Sequence, residues 1–182
     1  MDFEFNILDY IQLNMKSEIM DCIMVIWSYL GHLSFIWILI TFILLICKKT
    51  RRIGIACVIG FVLCLIIANG IIKPIVGRIR PYDINTTITL LTAKEIDYSF
   101  PSGHTVYAMC YAAIFFRKNK IVGTVTFVFA AIMGFSRLYL YMHFPTDVIF
   151  GAILGIVIGI YSVYLESKIY KSGISGFRKL TV

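Results

Sequence analysis

The sequence predicts an all-α integral membrane protein, a bundle of five or six transmembrane helices with an interfacial helix at the amino terminus. Hydrophobic residues make up 59% of the 182 residues, well above the share in soluble proteins. The mean hydropathy is +0.86, and only 15% of the residues are charged. Apolar runs alternate with short polar connections, and no internal repeat is evident. The length fits a single domain over residues 1–182.

The apolar runs give the expected helices in order. Residues 1–16 mix apolar with acidic side chains, which favours a short helix at the membrane surface. The run that follows is broken near Gly31 and is either one long span or a partial helix over 17–30 and a span near 32–47. We favour the second arrangement, the partial helix followed by a span. The remaining spans are expected at 53–72, 100–116, 121–135 and 148–165.

Basic residues predict the orientation. The tracts at 48–52 and 117–120 and the tail residues Lys168, Lys171, Arg178 and Lys179 fall on one side, which should be cytoplasmic. The formal net charge of +7 forms no single basic face, so topology and anionic lipid headgroups explain it better than nucleic acid does. We therefore expect no nucleic-acid partner.

The last span carries glycines at four-residue spacing: Gly151, Gly155 and Gly159. Such a face lets two helices approach closely. We expect it to pack within the monomer, with a homodimer interface as the alternative.

Three polar motifs interrupt the apolar chain, each in a connection on the non-cytoplasmic side. They read K-x6-R-P, P-S-G-H and S-R-x5-H-x3-D. Charged and imidazole side chains are costly in or beside a membrane, which indicates a functional site. Because consecutive spans run antiparallel, all three motifs should meet at one surface and form one pocket. Their polar residues are Lys73, Arg80, Ser102, Gly103, His104, Arg137, His143 and Asp147.

The first two motifs favour anion binding. Lys73 and Arg80 share one face if the segment between them is helical, with Pro74 as a first helical residue and Pro81 ending the turn. P-S-G-H is typical of a helix start, with Ser102 as the N-cap and free N–H groups for an anion.

The remaining polar residues of the motifs favour catalysis. Gly103 admits close approach of a ligand, and His104 in the same first turn could act as an acid. Arg137 adds a third cation. Asp147 should lie in the first turn of the last span and accept a hydrogen bond from one nitrogen of His143. That bond would fix the imidazole tautomer and leave the other nitrogen as a nucleophile.

With these motifs the sequence resembles the type 2 phosphatidic acid phosphatase superfamily, whose signatures stand here as KPIVGRIRP, PSGH and SRLYLYMHFPTD. The resemblance covers about residues 50–165. It implies a phosphatase that needs neither metal nor cofactor, in which His143, oriented by Asp147, attacks phosphorus and His104 protonates the leaving oxygen. The phosphoryl oxygens would be held by Lys73, Arg80, Ser102, Gly103 and Arg137.

Within that superfamily the chain looks like bacterial undecaprenyl-diphosphate phosphatases. The resemblance implies a lipid phosphate partner, undecaprenyl diphosphate first, and an active site on the extracytoplasmic face of the bacterial cytoplasmic membrane. Alternatives are a phosphatidate or phosphatidylglycerophosphate phosphatase, an enzyme acting on a soluble phosphate ester, and a non-catalytic lipid-binding protein. Residues 82–99 could roof the pocket, although Asp83, Glu95 and Asp97 do not suit the binding of extra phosphates.

Overall fold

The computed structural model describes residues 2–31 and 35–172, and these contain helices and no β-strand, which confirms the all-α prediction. Within this described part of the chain, nine α-helices and one π-helical stretch form a single bundle. In chain order they are α1 (Asp2–Asn14), α2 (Glu18–Gly31), α3 (Phe35–Ile46), α4 (Arg51–Cys64), the π-helix (Leu65–Ile72), α5 (Lys73–Val76), α6 (Pro81–Ile84), α7 (Gly103–Lys118), α8 (Lys120–Tyr139) and α9 (Pro145–Lys171).

Among the described residues, three stretches are long and apolar enough to cross a membrane: Arg51–Ile84, α8 and α9. The pair α2 and α3, whose axes are bent by 53°, would make a fourth span. With 16 residues, α7 falls short of the roughly 20 that a full span needs. The total of five or six spans therefore stays a prediction. The predicted start of the first span at residue 32 and the tail residues Arg178 and Lys179 lie outside the described residues.

The helix that carries Lys73 ends sooner than the sequence suggested. It stops at Gly77, whose φ of 58° is in the left-handed region that glycine adopts without a Cβ penalty. Arg80 then has an extended backbone because the ring of Pro81 excludes the helical region for the residue before it. The predicted helix from Lys73 to Arg80 is thus wrong, and Pro81 begins a new short helix instead of ending one.

The centre of the bundle is α7, which packs against α4, α8 and α9. Its side chains are buried almost without interruption from Thr105 to Phe115. The surrounding helices turn large apolar side chains outward, including Phe42, Ile153 and Val157, as a lipid-facing surface requires. Enclosure of α7 by these helices buries Ser102 and Thr105 at its start.

The glycine face of α9 packs on α7 within the monomer. A Cβ at Gly155 would run into the backbone carbonyl of Val106, and one at Gly159 into that of Cys110. A Cβ at Gly151 would lie 3.0 Å from the Ser102 carbonyl oxygen. A second copy could use this face only by displacing α7, so the homodimer alternative is not supported.

The two ends of the bundle hold different groups of charged residues. Glu166, fully buried, accepts hydrogen bonds from Arg52 Nε at 2.7 Å and Lys118 Nζ at 3.1 Å, so two of the basic tracts meet at one end. Lys73 lies far from Arg52 along the continuous stretch Arg51–Ile84, and Asp147 lies at the opposite end of α9 from Glu166. The polar motifs and the basic tracts are therefore on opposite sides of the bundle.

We predict that Gly155→Ala lowers the stability of the folded protein by about 1–3 kcal/mol, because the added methyl group must push α7 away from α9. Gly70→Ala is the matched control, since its Cβ would be 3.6 Å from the nearest neighbour, an ordinary contact. Unfolding in detergent micelles measures both. Equal stability of the two variants would show that the α7–α9 contact tolerates a side chain.

Candidate active site

The structure brings the polar motif residues together at one end of the bundle. Lys73 lies where the π-helix meets α5, and Arg80 just before α6. His104 is in the first turn of α7, and Arg137 in the last turn of α8. His143 lies in the connection after α8, and Asp147 in the first turn of α9, where the sequence analysis expected it.

The three cations are held by two carboxylates from the connection between α6 and α7. Glu95 contacts Arg80 at 2.6 Å and Arg137 at 2.5 Å. Asp97 forms ion pairs with both Lys73 and Arg80. Because the side chains of Lys73, Arg80 and Arg137 are almost completely buried, they need these anions in place of water.

Both carboxylates are ionised in this cluster. Burial disfavours the charged form of Glu95, but Arg137 and Arg80 outweigh it and lower the pKa of Glu95 to about 2. Burial likewise opposes ionisation of Asp97, and Lys73 lowers its pKa below the usual range. The contacts between carboxylates and cations are therefore charged pairs at any neutral or mildly acidic pH.

His143 is completely buried and its tautomer is fixed by the backbone. Its Nδ1 lies 2.7 Å from the carbonyl oxygen of Ser99, which can only accept, so Nδ1 carries the proton. The unprotonated Nε2 faces Arg80 Nη1 at 3.2 Å. Burial first, and then Arg80 and Arg137, hold the pKa of His143 well below its ordinary value, so the imidazole is neutral.

Asp147 supports His143 less directly than the sequence suggested. Its Oδ2 is 3.6 Å from His143 Nδ1, too far for a hydrogen bond, and accepts instead from the Ser99 hydroxyl at 2.5 Å. The same oxygen accepts from the Phe144 N–H at 2.8 Å, and Arg78 donates to Oδ1 at 2.6 Å. The direct Asp147–His143 hydrogen bond is thus replaced by a path through Ser99, whose carbonyl orients the imidazole.

The start of α7 lies where the sequence predicted it. Ser102 is the N-cap residue and is fully buried, although its hydroxyl accepts from Thr105 Oγ1 at 3.0 Å and does not cap the helix. A Cβ at Gly103 would lie 3.9 Å from Lys73 Nζ, so this glycine faces the lysine. Ser102 N–H also donates to the Asp147 backbone carbonyl at 3.2 Å, which ties the starts of α7 and α9 together.

A cavity of about 600 Å³ opens onto this cluster. Its polar end includes Lys73, His104 and Arg137, and its apolar wall includes Phe61 and Leu65. Within residues 2–31 and 35–172, no group of three or more His, Cys, Asp or Glu side chains is arranged to hold a metal ion. The positive charge of the site comes from lysine and arginine side chains.

Four residues of this site were not assigned a role from the sequence. Arg78 lies within the first motif at a variable position, and Ser99 lies two residues before P-S-G-H. Nothing in their type or spacing pointed to Asp147. Glu95 and Asp97 did carry a signal, since they are acidic residues two apart, shortly before P-S-G-H. Which cations they meet depends on the path of the chain between α6 and α7.

Comparisons with known proteins agree with the motifs. The sequence profile of the PAP2 superfamily matches residues 55–171. An undecaprenyl-diphosphatase of Sulfolobus acidocaldarius is 34% identical over 164 residues, covering 90% of this chain and 77% of the relative. An undecaprenyl-diphosphatase of Bacillus subtilis is 28% identical over 151 residues, covering 81% of this chain and 75% of the relative.

A solved structure has the same fold. The crystal structure of a transmembrane PAP2-type phosphatidylglycerolphosphate phosphatase from Bacillus subtilis superimposes with a TM-score of 0.76 and 27% sequence identity. The match covers 92% of this chain and 86% of the solved chain. The family profile covers well over half of the sequence, and the fold and the three motifs agree with it. The chain therefore belongs to the PAP2 superfamily and is a membrane-embedded phosphatase.

Proposed function

We propose that this enzyme hydrolyses a lipid diphosphate, with undecaprenyl diphosphate as the first candidate, through a phosphohistidine intermediate. The observation that carries the proposal is the cavity itself. It joins Lys73, Arg137 and His104 at one end to an apolar wall at the other. A lipid phosphate is divided in the same way, into a charged phosphate group and an apolar chain. The names of the relatives in Sulfolobus acidocaldarius and Bacillus subtilis support the choice of substrate.

The first step uses the neutral imidazole of His143. Its Nε2 lone pair attacks phosphorus, an N–P bond forms, and the P–O bond to the lipid-linked leaving group breaks. His104 donates a proton to the departing oxygen. Lys73, Arg80 and Arg137 bind the phosphoryl oxygens together with the Ser102 hydroxyl and the Gly103 N–H, and they stabilise the charge of the transition state.

The second step returns the enzyme to its starting state. His104, now neutral, takes a proton from water as the water oxygen attacks phosphorus. The N–P bond breaks, its electron pair returns to His143 Nε2, and inorganic phosphate leaves. Ser99 holds the Nδ1 proton throughout, and Asp147 acts as a positioning residue by fixing Ser99.

A lipid substrate is favoured over a soluble ester by where the cavity leads. Leu65 lines the cavity and also a neighbouring groove that includes Ile66 and Ile71, which are both half-exposed. Apolar chains could therefore enter sideways from the bilayer while the phosphate reaches the polar end. We place the enzyme in a bacterial cytoplasmic membrane with the site on the extracytoplasmic face, because the basic tracts lie at the opposite end.

The phosphatidylglycerolphosphate phosphatase with the same fold makes glycerolipid phosphates the second candidate. Phosphate release from undecaprenyl diphosphate, phosphatidate, phosphatidylglycerophosphate and a sugar phosphate, all in the same mixed micelles, compares the candidates. We expect the highest kcat/KM for the diphosphate. A preference for the sugar phosphate would contradict a lipid substrate.

We predict that His143→Ala lowers kcat by about a thousandfold or more, because the covalent route is lost. His104→Ala should lower it by about 10²–10⁴, the usual contribution of a general acid and base. Labelling of the protein from a ³²P-labelled substrate, quenched in alkaline detergent and stable to base but lost in acid, should appear in wild type and be absent in His143→Ala. Thermal unfolding checks that both variants fold. Near-normal turnover in a folded His143→Ala would show that another group attacks.

We predict that activity persists in excess EDTA and is inhibited by orthovanadate, because the charge at the site is supplied by side chains. Phosphate release from the lipid diphosphate measures both effects. Activity that disappears in EDTA and returns with Mg²⁺ would contradict the mechanism.

We predict that His143 does not titrate near pH 6.5 in the folded protein, because its pKa is lowered by burial and by Arg80 and Arg137. Its imidazole should stay neutral and protonated on Nδ1 as the pH falls through 6.5, and it should gain a proton only well below that value. Nitrogen NMR shifts of labelled histidine in micelles, assigned with His143→Gln, measure this. The unfolded protein is the control and should titrate near 6.5. A folded-state titration at that pH would show that the site is more solvated than the structure indicates.

A further inference from the structure

Glu95 and Asp97 occupy the places where a phosphoryl group would be bound. Glu95 lies between Arg80 and Arg137, and Asp97 between Lys73 and Arg80. Every cation that the proposed reaction assigns to substrate oxygens is therefore already paired with a carboxylate. We call these two side chains the carboxylate pair.

Contacts of the backbone hold both side chains toward the cations. Ile96, between them, is fully exposed, while Glu95 and Asp97 turn toward the cations. The Tyr82 hydroxyl donates to the Glu95 carbonyl at 2.9 Å and accepts from the Glu95 N–H at 3.1 Å, and Arg80 Nε donates to the Asp97 carbonyl at 2.9 Å. Because the backbone is held at both residues, the carboxylates leave the cations by rotation of their side chains.

The carboxylate pair also separates the cavity from the nucleophile. Glu95 and Asp97 line the cavity, whereas Arg80 and His143 do not, and both of these are almost completely buried. Nε2 of His143 lies beside Arg80 Nη1, the guanidinium that the pair binds. A phosphorus atom can approach Nε2 only after the carboxylates withdraw from Arg80.

An exchange of anions is the least costly way to open this site. Leaving buried cations unpaired is strongly unfavourable, so withdrawal of the pair without a replacement is opposed. A phosphoryl group restores the charge-assisted hydrogen bonds as the carboxylates leave. Because the pKa of Glu95 is about 2, mild acid does not release the pair by protonation. The carboxylates are therefore released from the cations by a competing anion that displaces them.

We propose that Glu95 and Asp97 determine specificity by competing with the substrate for Lys73, Arg80 and Arg137, so that only a strongly anionic phosphate ester displaces them. A diphosphate carries more negative charge than a monophosphate and replaces both carboxylates more effectively. The pair thereby raises the KM of monophosphates more than that of diphosphates. This inference rests on the proposed function and names the residues that set its preference for diphosphates.

The test compares Glu95→Gln and Asp97→Asn with wild type and with Asp83→Asn. Asp83→Asn is the matched control, because it removes one negative charge from α6, just before the connection that carries the carboxylate pair, and the partner of Asp83 is the exposed Lys94 instead of one of the three cations. KM and kcat are measured for undecaprenyl diphosphate and undecaprenyl monophosphate in mixed micelles. The inhibition constant of orthovanadate and the shift in unfolding temperature that it causes are measured on the same samples.

We expect each of the two variants to bind orthovanadate about tenfold more tightly, the effect of weakening one charge-assisted contact that competes with it. KM for the monophosphate should fall more than KM for the diphosphate, so the discrimination between them narrows. Asp83→Asn should match wild type in every measurement. Larger vanadate-induced shifts in unfolding temperature should accompany the tighter inhibition.

Other outcomes would overturn the inference. If the pair only holds the arginines in position, both variants lose kcat and bind orthovanadate no better than wild type. If discrimination between the two lipids is unchanged, the pair does not set specificity. Should Glu95→Gln fail to fold, Asp97→Asn decides the question, since the Asp97 side chain is 49% exposed. Absence of lipid hydrolysis in wild type would count against the proposed function, while the vanadate shifts would still test the competition.

Discussion

The rest of this structure depends on one constraint: three cations buried side by side at the end of an apolar bundle must each meet an anion. Lys73, Arg80 and Arg137 have side chains almost fully removed from solvent, and bare charges in such a place are strongly unfavourable. Glu95 and Asp97 supply these anions. The connection between α6 and α7 carries both carboxylates, and its residues 92–97 line the cavity.

The close approach of α7 and α9 fixes the relative positions of the helix starts that carry site residues. Glycines of α9 let its axis come near the backbone of α7, and the Ser102 N–H reaches the Asp147 carbonyl at their common end. The helix start that carries His104 is thereby fixed relative to the carboxylate that positions Ser99 and, through it, His143. The same helix pair therefore packs the interior of the bundle and orients His104 and His143.

The sequence predicted the features that local helix rules govern, and it missed the contacts that depend on segments distant in the chain. Ser102 as an N-cap and Asp147 in the first turn of α9 follow from helix-terminus preferences and are confirmed. The helix expected between Lys73 and Arg80 was wrong, because Gly77 and Pro81 impose backbone angles that the hydrophobic pattern does not report. The bond expected from Asp147 to His143 goes through Ser99, which reaches both only through the tertiary fold.

By itself the sequence determined the membrane class, the all-α fold and the family, because hydropathy and fixed motif spacing are properties of the linear chain. It also determined that the polar motifs lie on the side opposite the basic tracts, since span order alone sets that alternation. Only the tertiary structure decided which anions the cations meet and how His143 is held. Those contacts join residues far apart in the chain, and their energies depend on burial that no local pattern encodes.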